Sequence, residues 1–372
     1  MIRTVAFLCA VWAGSAYAES DPAQAALNAA LRLEDASIQL SDASSARDRV
    51  TALTETVHAY EAGLIALRDG LRRAAIRQSA LEAELDAKSE EIAQLLGVLQ
   101  SMGQAPAPVL LLHPTGPTGT ARSGMILADV TPALQAQAEE LKVQLEEVTL
   151  LRTLQENAAD TLQRGLDGAQ AARSRLSAAI SERTDLPRRF ADDPIQTTLL
   201  IASAETLDAL AGNLLSMDGD LAVPAPDASA LKGSLPSPVQ GRVLRSYNQE
   251  DLAGVVRPGT LFAVGPRTLI TVPVAATIRF KGPLLDYGNV VIVEPAADVL
   301  FVYAGLAEVF GEVGEVLPEG SPIGLMGGDD PLVDEILTEV SQGSGFRATE
   351  SLYLEVREGQ TTVDPATWFA IE

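Results

Sequence analysis

Residues 51–100 read TALTETVHAY EAGLIALRDG LRRAAIRQSA LEAELDAKSE EIAQLLGVLQ, and their spacing decides half of the fold. Taken from Leu53 in alternating steps of four and three, the register runs Leu53, Val57, Tyr60, Leu64, Leu67, Leu71, Ala74, Gln78, Leu81, Leu85, Lys88, Ile92, Leu95 and Leu99. Twelve of these fourteen positions are apolar, which makes the stretch a coiled-coil seam rather than an ordinary amphipathic helix face. Upstream the seam weakens to Ala and polar residues, which predicts a looser or broken helix between Leu33 and Arg49.

Downstream, Ser101-Met102-Gly103, Pro106, Pro108, Pro114 and Pro117 stop the helix. A second seam begins at Thr131-Pro132, a cap followed by a first-turn proline. It passes through Leu134, Ala138, Leu141, Leu145, Val148, Arg152, Gln155, Ala159, Leu162, Leu166, Ala169, Arg173, Leu176 and Ile180. Two such helices predict a long antiparallel coiled-coil hairpin over residues 19–186, with a tip insertion at about 101–130. The apolar groups of that tip, Val109 to Leu112 and Met125 to Leu127, mark a partner contact or a cap folded onto the hairpin end. Pro187 and Pro194 break the pattern; residues 195–216 turn helical again, and 217–237, with Pro224, Pro226 and Pro236, have a connector's composition.

From Gln240 the heptads vanish. Short runs such as Leu269 to Pro273, Ala276 to Phe280, Val290 to Val293, Val299 to Tyr303 and Leu352 to Arg357 are each bounded by Gly or Pro, which predicts an all-β domain over 238–372. The fold class expected is therefore α+β and multidomain.

At the other end, Arg3, an apolar run from Val5 to about Ala13 and Ala16-Tyr17-Ala18 form a cleavable signal-peptide pattern over 1–18. The expected address is the periplasm. The single cysteine, Cys9, falls inside it, so the processed chain is expected to hold no disulfide or lipid. The 372 residues carry 27 Lys plus Arg against 50 Asp plus Glu, a net charge of −23 that repels nucleic acid. Two histidines leave little from which to build a zinc site: His58 reads as a helix residue beside the seam, and His113 lies in the tip with no second imidazole near it in sequence.

Six blocks of the C-terminal region carry a resemblance. They are Val274 to Ile278; Tyr287-Gly288-Asn289-Val290-Val291-Ile292-Val293; Val302-Tyr303-Ala304-Gly305-Leu306; Val313-Gly314-Glu315-Val316; Gly320-Ser321-Pro322-Ile323-Gly324; and Leu352 to Arg357 with Val363-Asp364-Pro365 and Trp368. In order and spacing they resemble a LytM-type (lysostaphin-like) peptidoglycan endopeptidase domain, whose active members hold zinc through a His-x-Gly-x-Asp and a His-x-His motif. The resemblance puts Arg257 and Leu261 at the first two ligand positions, Tyr353 at the third, and Ser351 and Gly305 at the two histidines that assist the reaction. None of these holds zinc, which the hydrolysis needs, so a catalytically dead domain without cofactor is expected. An emptied cleft keeps its concave shape and becomes apolar. Its expected lining is Leu261, Tyr287, Tyr303, Tyr353 and Arg357, with Arg357 offering a bidentate pair to a partner carboxylate and ordinary packing the alternative for each tyrosine. Glu355, Asp364 and Trp368 read as structural.

Signal peptide, hairpin, connector and ligand-poor domain together resemble the murein hydrolase activator EnvC family. That resemblance implies a periplasmic regulator of cell division. Its β domain would bind and activate an N-acetylmuramoyl-L-alanine amidase and so act on peptidoglycan indirectly. Its hairpin would engage the FtsEX inner-membrane complex, and a helix within 195–216 would cover the groove at rest. The rival readings are an active zinc peptidoglycan endopeptidase, a periplasmic adaptor protein and a purely structural spacer.

Overall fold

The computed structural model describes residues 21–90, 92–94, 97, 100, 117–183, 186–189, 206–216, 231–251, 254–284, 287–342 and 348–371. Helix α1, Pro22–Asp42, starts with Pro22 in the first turn and the Asp21 carboxylate accepting from the Ala23 amide. It stops at Ala43, where the backbone turns extended. Helix α2, Ala46–Ala87, opens on a capping box: Ser45 accepts from the Asp48 amide at 3.1 Å and Asp48 from the Ser45 amide at 3.2 Å. The break foreseen between Leu33 and Arg49 thus lies at residues 43–45, and the chain reverses there. Small residues let α1 lie back along α2: a Cβ placed on Gly63 would stand 3.6 Å from that of Ala29, and one on Gly70 the same distance from that of Pro22.

Helix α3, Pro117–Ser181, runs antiparallel to α2. Arg77 meets Glu147 at 2.7 Å and Arg152 meets Glu82 at 2.8 Å toward the far end, while Gly165 and Gly168 lie against Leu64 and Tyr60 toward the base. At 1.5 Å per residue it is about 100 Å long. Its start corrects the expected one at Thr131: Pro132 lies exposed inside the helix, forfeiting one amide bond without ending it. Of the expected tip, 101–116, including Val109 to Leu112 and His113, lie outside the described residues, and 117–130 are helical, with Met125 exposed. No helix among the described residues is long and apolar enough to cross a membrane.

After α3, the chain bridges Arg188 to Glu315 and later forms the short helix α4, Leu207–Ser216. Residues 190–205, with the first half of the helix expected over 195–216, lie outside the described residues. The expected connector also ends sooner than 237, because Leu235 is buried and pairs with Phe369. The large sheet contains β1 Gly241–Arg245, β2 Thr260–Val264, β3 Leu269–Thr271, β4 Ala276–Pro283, β5 Asn289–Ala296, β6 Val299–Val309, β7 Val316–Leu317, β8 Pro322–Met326, β9 Glu350–Glu358 and β10 Thr361–Val363. It is ordered β1-β2-β9-β6-β5-β4-β7, with β10 on β9, β8 on β6 and β3 on β8, and every pairing is antiparallel. Helix α5, Val333–Ser341, corrects the all-β expectation; Ile336 and Val340 are its buried positions, one turn apart on one face.

Period-two alternation gives the sheet two apolar faces. Phe301 and Tyr303 of β6 with Leu352, Leu354 and Val356 of β9 enter the main core beside Trp368, whose indole N–H donates to Glu358 at 2.8 Å. Leu300, Val302 and Ala304 of β6, Val290 and Ile292 of β5 and Tyr353 of β9 form the other face. Asp364 caps the 3-10 turn that brings Trp368 in, the structural role expected of both.

Candidate functional site

The second face is where the sequence-derived positions meet. Leu261 of β2 is in register with Tyr353 of β9, and Tyr353 in turn with Ala304 of β6, so three adjacent strands deliver them side by side. The Tyr353 ring lies 5.7 Å from that of Tyr287, tilted by 51°, and the Arg257 guanidinium stands 5.4 Å over the Tyr287 ring. Gly259 is required beneath: a Cβ there would fall 2.5 Å from the Tyr353 ring. Gly305, at φ +94°, would carry a Cβ only 2.6 Å from the Ser351 carbonyl oxygen. The resemblance-derived positions Arg257, Leu261, Gly305, Ser351 and Tyr353 are therefore neighbours in space.

Beneath this surface runs a buried polar chain. The Tyr353 hydroxyl donates to Glu355 at 2.7 Å, and Arg357 donates to the same carboxylate at 2.9 Å and to the Gln360 carbonyl. Burial, and after it the Glu355 charge, pushes the Tyr353 phenol far above its usual range, so it stays a hydroxyl donor at any physiological pH. Two of the expected groove residues are corrected here. Arg357 is 1% exposed, with its charge committed to Glu355, so it offers nothing to a partner carboxylate. Tyr303 is fully buried on the opposite face, in the main core, because alternation along β6 turns it away from Ala304. Leu261 and Tyr287 remain half-buried, and Tyr353 closes the floor between them.

Helix α4 lies on this face. Leu207, Leu210, Ala211 and Leu214 are buried in one cluster with Phe280, Ile292, Val302 and Tyr353, against which Leu261 and Tyr287 pack. Arg279 donates to the Leu214 carbonyl at 3.0 Å and to the Glu294 carboxylate at 3.0 Å; Arg189, after α3, reaches the same carboxylate at 3.2 Å. Sequence reasoning missed these three. Their signal was a charge set against an apolar run, Arg279 between Ile278 and Phe280 and Glu294 after Val293. The β-bulge between Ile278 and Phe280 brings Arg279 to that carboxylate.

The residues do not fit zinc. Leu261 and Gly305 have no donor atom, Arg257 is cationic, Tyr353 is a buried phenol bound to Glu355, and Glu355 is already paired. Among the described residues no three His, Cys, Asp or Glu side chains gather as a metal site. His58, on α2, is half-buried, and its partial removal from water holds the imidazole below the usual range, as for a partly packed helix residue.

No protein-family model matches the chain. It is 27% identical over 140 residues to an uncharacterised protein of Neisseria meningitidis, NMB1333, covering 38% of this chain and 21% of that protein. Among solved structures, it resembles Helicobacter pylori Csd3 with a TM-score of 0.28 at 20% identity, over 37% of this chain and 35% of Csd3. It also resembles a peptidase of the M23 class from Pseudomonas aeruginosa with a TM-score of 0.32 at 18% identity, over 48% of this chain and 64% of that one. This chain thus spans about a fifth of the Neisseria protein and about a third of Csd3. The structural neighbours include M23-type peptidase domains, and the likeness extends over half of this chain or less.

Proposed function

We propose that this chain is a non-catalytic regulator of peptidoglycan hydrolysis, whose LytM-like β domain acts by clasping an N-acetylmuramoyl-L-alanine amidase. One observation carries the reading. The five positions that match the metal and catalytic positions of LytM-type domains, Arg257, Leu261, Gly305, Ser351 and Tyr353, converge on one sheet face, where Leu261 and Tyr353 with the neighbouring Tyr287 make an apolar, aromatic floor beside Arg257 in place of ligands. A face of that kind suits the apolar stripe of an amphipathic helix, the role α4 already plays upon it. In this reading α4 is a resting cover that the amidase segment replaces, and the long α2/α3 arm engages the FtsEX complex in the periplasm. The membership in the EnvC family that the sequence resemblance implies is part of the same proposal.

The test is release of dye from labelled peptidoglycan by a purified periplasmic amidase, with and without the full chain, alongside metal analysis of the chain. Expected are no release by the chain alone, stimulated release with the amidase, and more stimulation when α4 is loosened. Stoichiometric zinc together with peptide-crosslink cleavage by the chain alone would overturn the reading.

A further inference from the structure

The arm does not stand free of the sheet. Val50, Leu53 and Val57 of α2 with Ala172, Leu176 and Ile180 of α3 bury Leu269 and Leu325 of the β3/β8 edge and Phe310. Farther along, Leu64, Leu162 and Leu166 bury Ile336 and Val340 of α5. Between these two apolar contacts each helix places a charge, Glu61 beside the first seam and Arg173 within the second. Glu61 follows Val57 by one turn, and Arg173 stands where the second seam expects an apolar residue. Glu61 is 8% exposed and Arg173 6%.

Their partners lie on the β domain. One Glu61 oxygen accepts from the backbone N–H of Leu269 at 3.1 Å and from Arg173 at 3.2 Å. Arg173 also donates to both oxygens of Asp330, at 3.1 Å each, on the loop before α5. The groups facing Glu61 therefore come from three elements: Arg173 on α3, the Leu269 amide on β3 and Asp330 on the loop before α5, while Arg68, farther along α2, faces Asp330 and Glu339 of α5. Within this cluster one cation, Arg173, is shared by two carboxylates, so one negative charge is in excess there, and Glu61 is the buried member, its side chain 9% exposed against 27% for Asp330. Burying it is costly, and a proton on one carboxylate removes it.

We propose that the Glu61–Arg173–Asp330 cluster is a proton-operated latch between the helical arm and the β domain, tightest with Glu61 neutral and loosened when Glu61 ionises. Burial, only partly offset by Arg173 and the Leu269 amide, pushes the Glu61 carboxyl up to about 7 from the ordinary 4.5, and Asp330 adds to the rise. The carboxyl binds its proton more tightly when the arm is seated than when it is lifted into water. The seating that this proton supplies is complete below pH 4.5 and disappears as the pH rises through 7. Between pH 5.5 and 8.5 the closed-to-open ratio is expected to fall about thirtyfold. This holds whatever the β domain binds, so it stands apart from the amidase proposal.

The Leu269 amide reads the latch directly, since Glu61 accepts its proton. Hydrogen exchange of the full chain, corrected for intrinsic rates, is expected to show protection at Leu269 and along α5 falling about thirtyfold from pH 5.5 to 8.5, with the Ile292 amide in the central sheet unchanged. Glu61→Gln should abolish that pH dependence while keeping the fold. Asp330→Asn, which removes the like charge, should move the midpoint to lower pH. A Glu61→Gln profile that follows the wild type, or wild-type protection that is flat with pH, overturns the latch.

Discussion

Leu210 is fully buried at the centre of the apolar stripe of α4, flanked by Leu207 and Leu214, and truncating it to Ala removes most of the anchoring contact between that helix and the sheet. Buried Leu→Ala changes cost about 2–5 kcal/mol. A ten-residue helix does not persist unaided in water, so α4 is expected to unravel once it lifts. If it opens as a unit of its own, the full cost falls on that opening, and at about 1.4 kcal/mol per decade the lifted population grows roughly thirtyfold to a few thousandfold. Hydrogen exchange by mass spectrometry measures this: amides of α4 should lose protection by that factor in Leu210→Ala, while those of β5 and β6, bonded within the sheet, keep theirs. Two results refute the reasoning. Unchanged protection in α4 would mean that Leu210 does not hold it, and an equal loss in β5 and β6 would mean that α4 belongs to the core rather than covering it.

Arg357→Ala strands the Glu355 carboxylate in the sheet and should destabilise the β domain by about 3–5 kcal/mol, read as a lowered urea midpoint; an unchanged midpoint would show the pair to be dispensable. Gly168→Ala places a Cβ 2.5 Å from the Tyr60 ring, so the ring must move out of the α2/α3 contact; a loss of about 1–3 kcal/mol should appear in thermal unfolding followed at the helical circular-dichroism band. Gly212→Ala serves as its control, since nothing lies within 4 Å of a Cβ there, and it should show no loss, because Ala is favoured over Gly in a helix interior by about 1 kcal/mol.

Much of the architecture is local and therefore legible in the sequence. A four-three spacing of Leu and Val calls for a packed stripe, and the seam positions Leu53, Val57, Leu64, Leu71, Leu162, Leu166 and Leu176 are buried between the helices, the β3/β8 edge and α5, whereas Leu145 toward the far end is exposed. Gly- and Pro-bounded apolar runs in 269–357 became β3 to β6 and β9, and the close approach of Arg257, Leu261 and Tyr353 follows from motif order. What local pattern could not resolve was which way a residue faces and what it meets. Tyr303 and Tyr353 look alike in sequence, yet strand alternation sends one into the core and the other to the candidate site. Arg357 looked free because its partner, Glu355, is a near neighbour on the same strand that read only as structural.

A heptad-bearing helical arm, a Gly- and Pro-punctuated sheet and a set of motif positions without metal ligands could be read from the residues in order, because periodicity and side-chain chemistry are properties of the chain alone. Only the tertiary structure decided that α1 doubles back on α2, that α4 lies over Tyr353, and that Glu61 and Arg173 clamp the arm to Leu269 and Asp330. These contacts join residues far apart in sequence, such as Glu61 and Leu269 or Arg173 and Asp330. Their energies come from desolvation and close approach, which exist only once the chain has folded and water has been shut out.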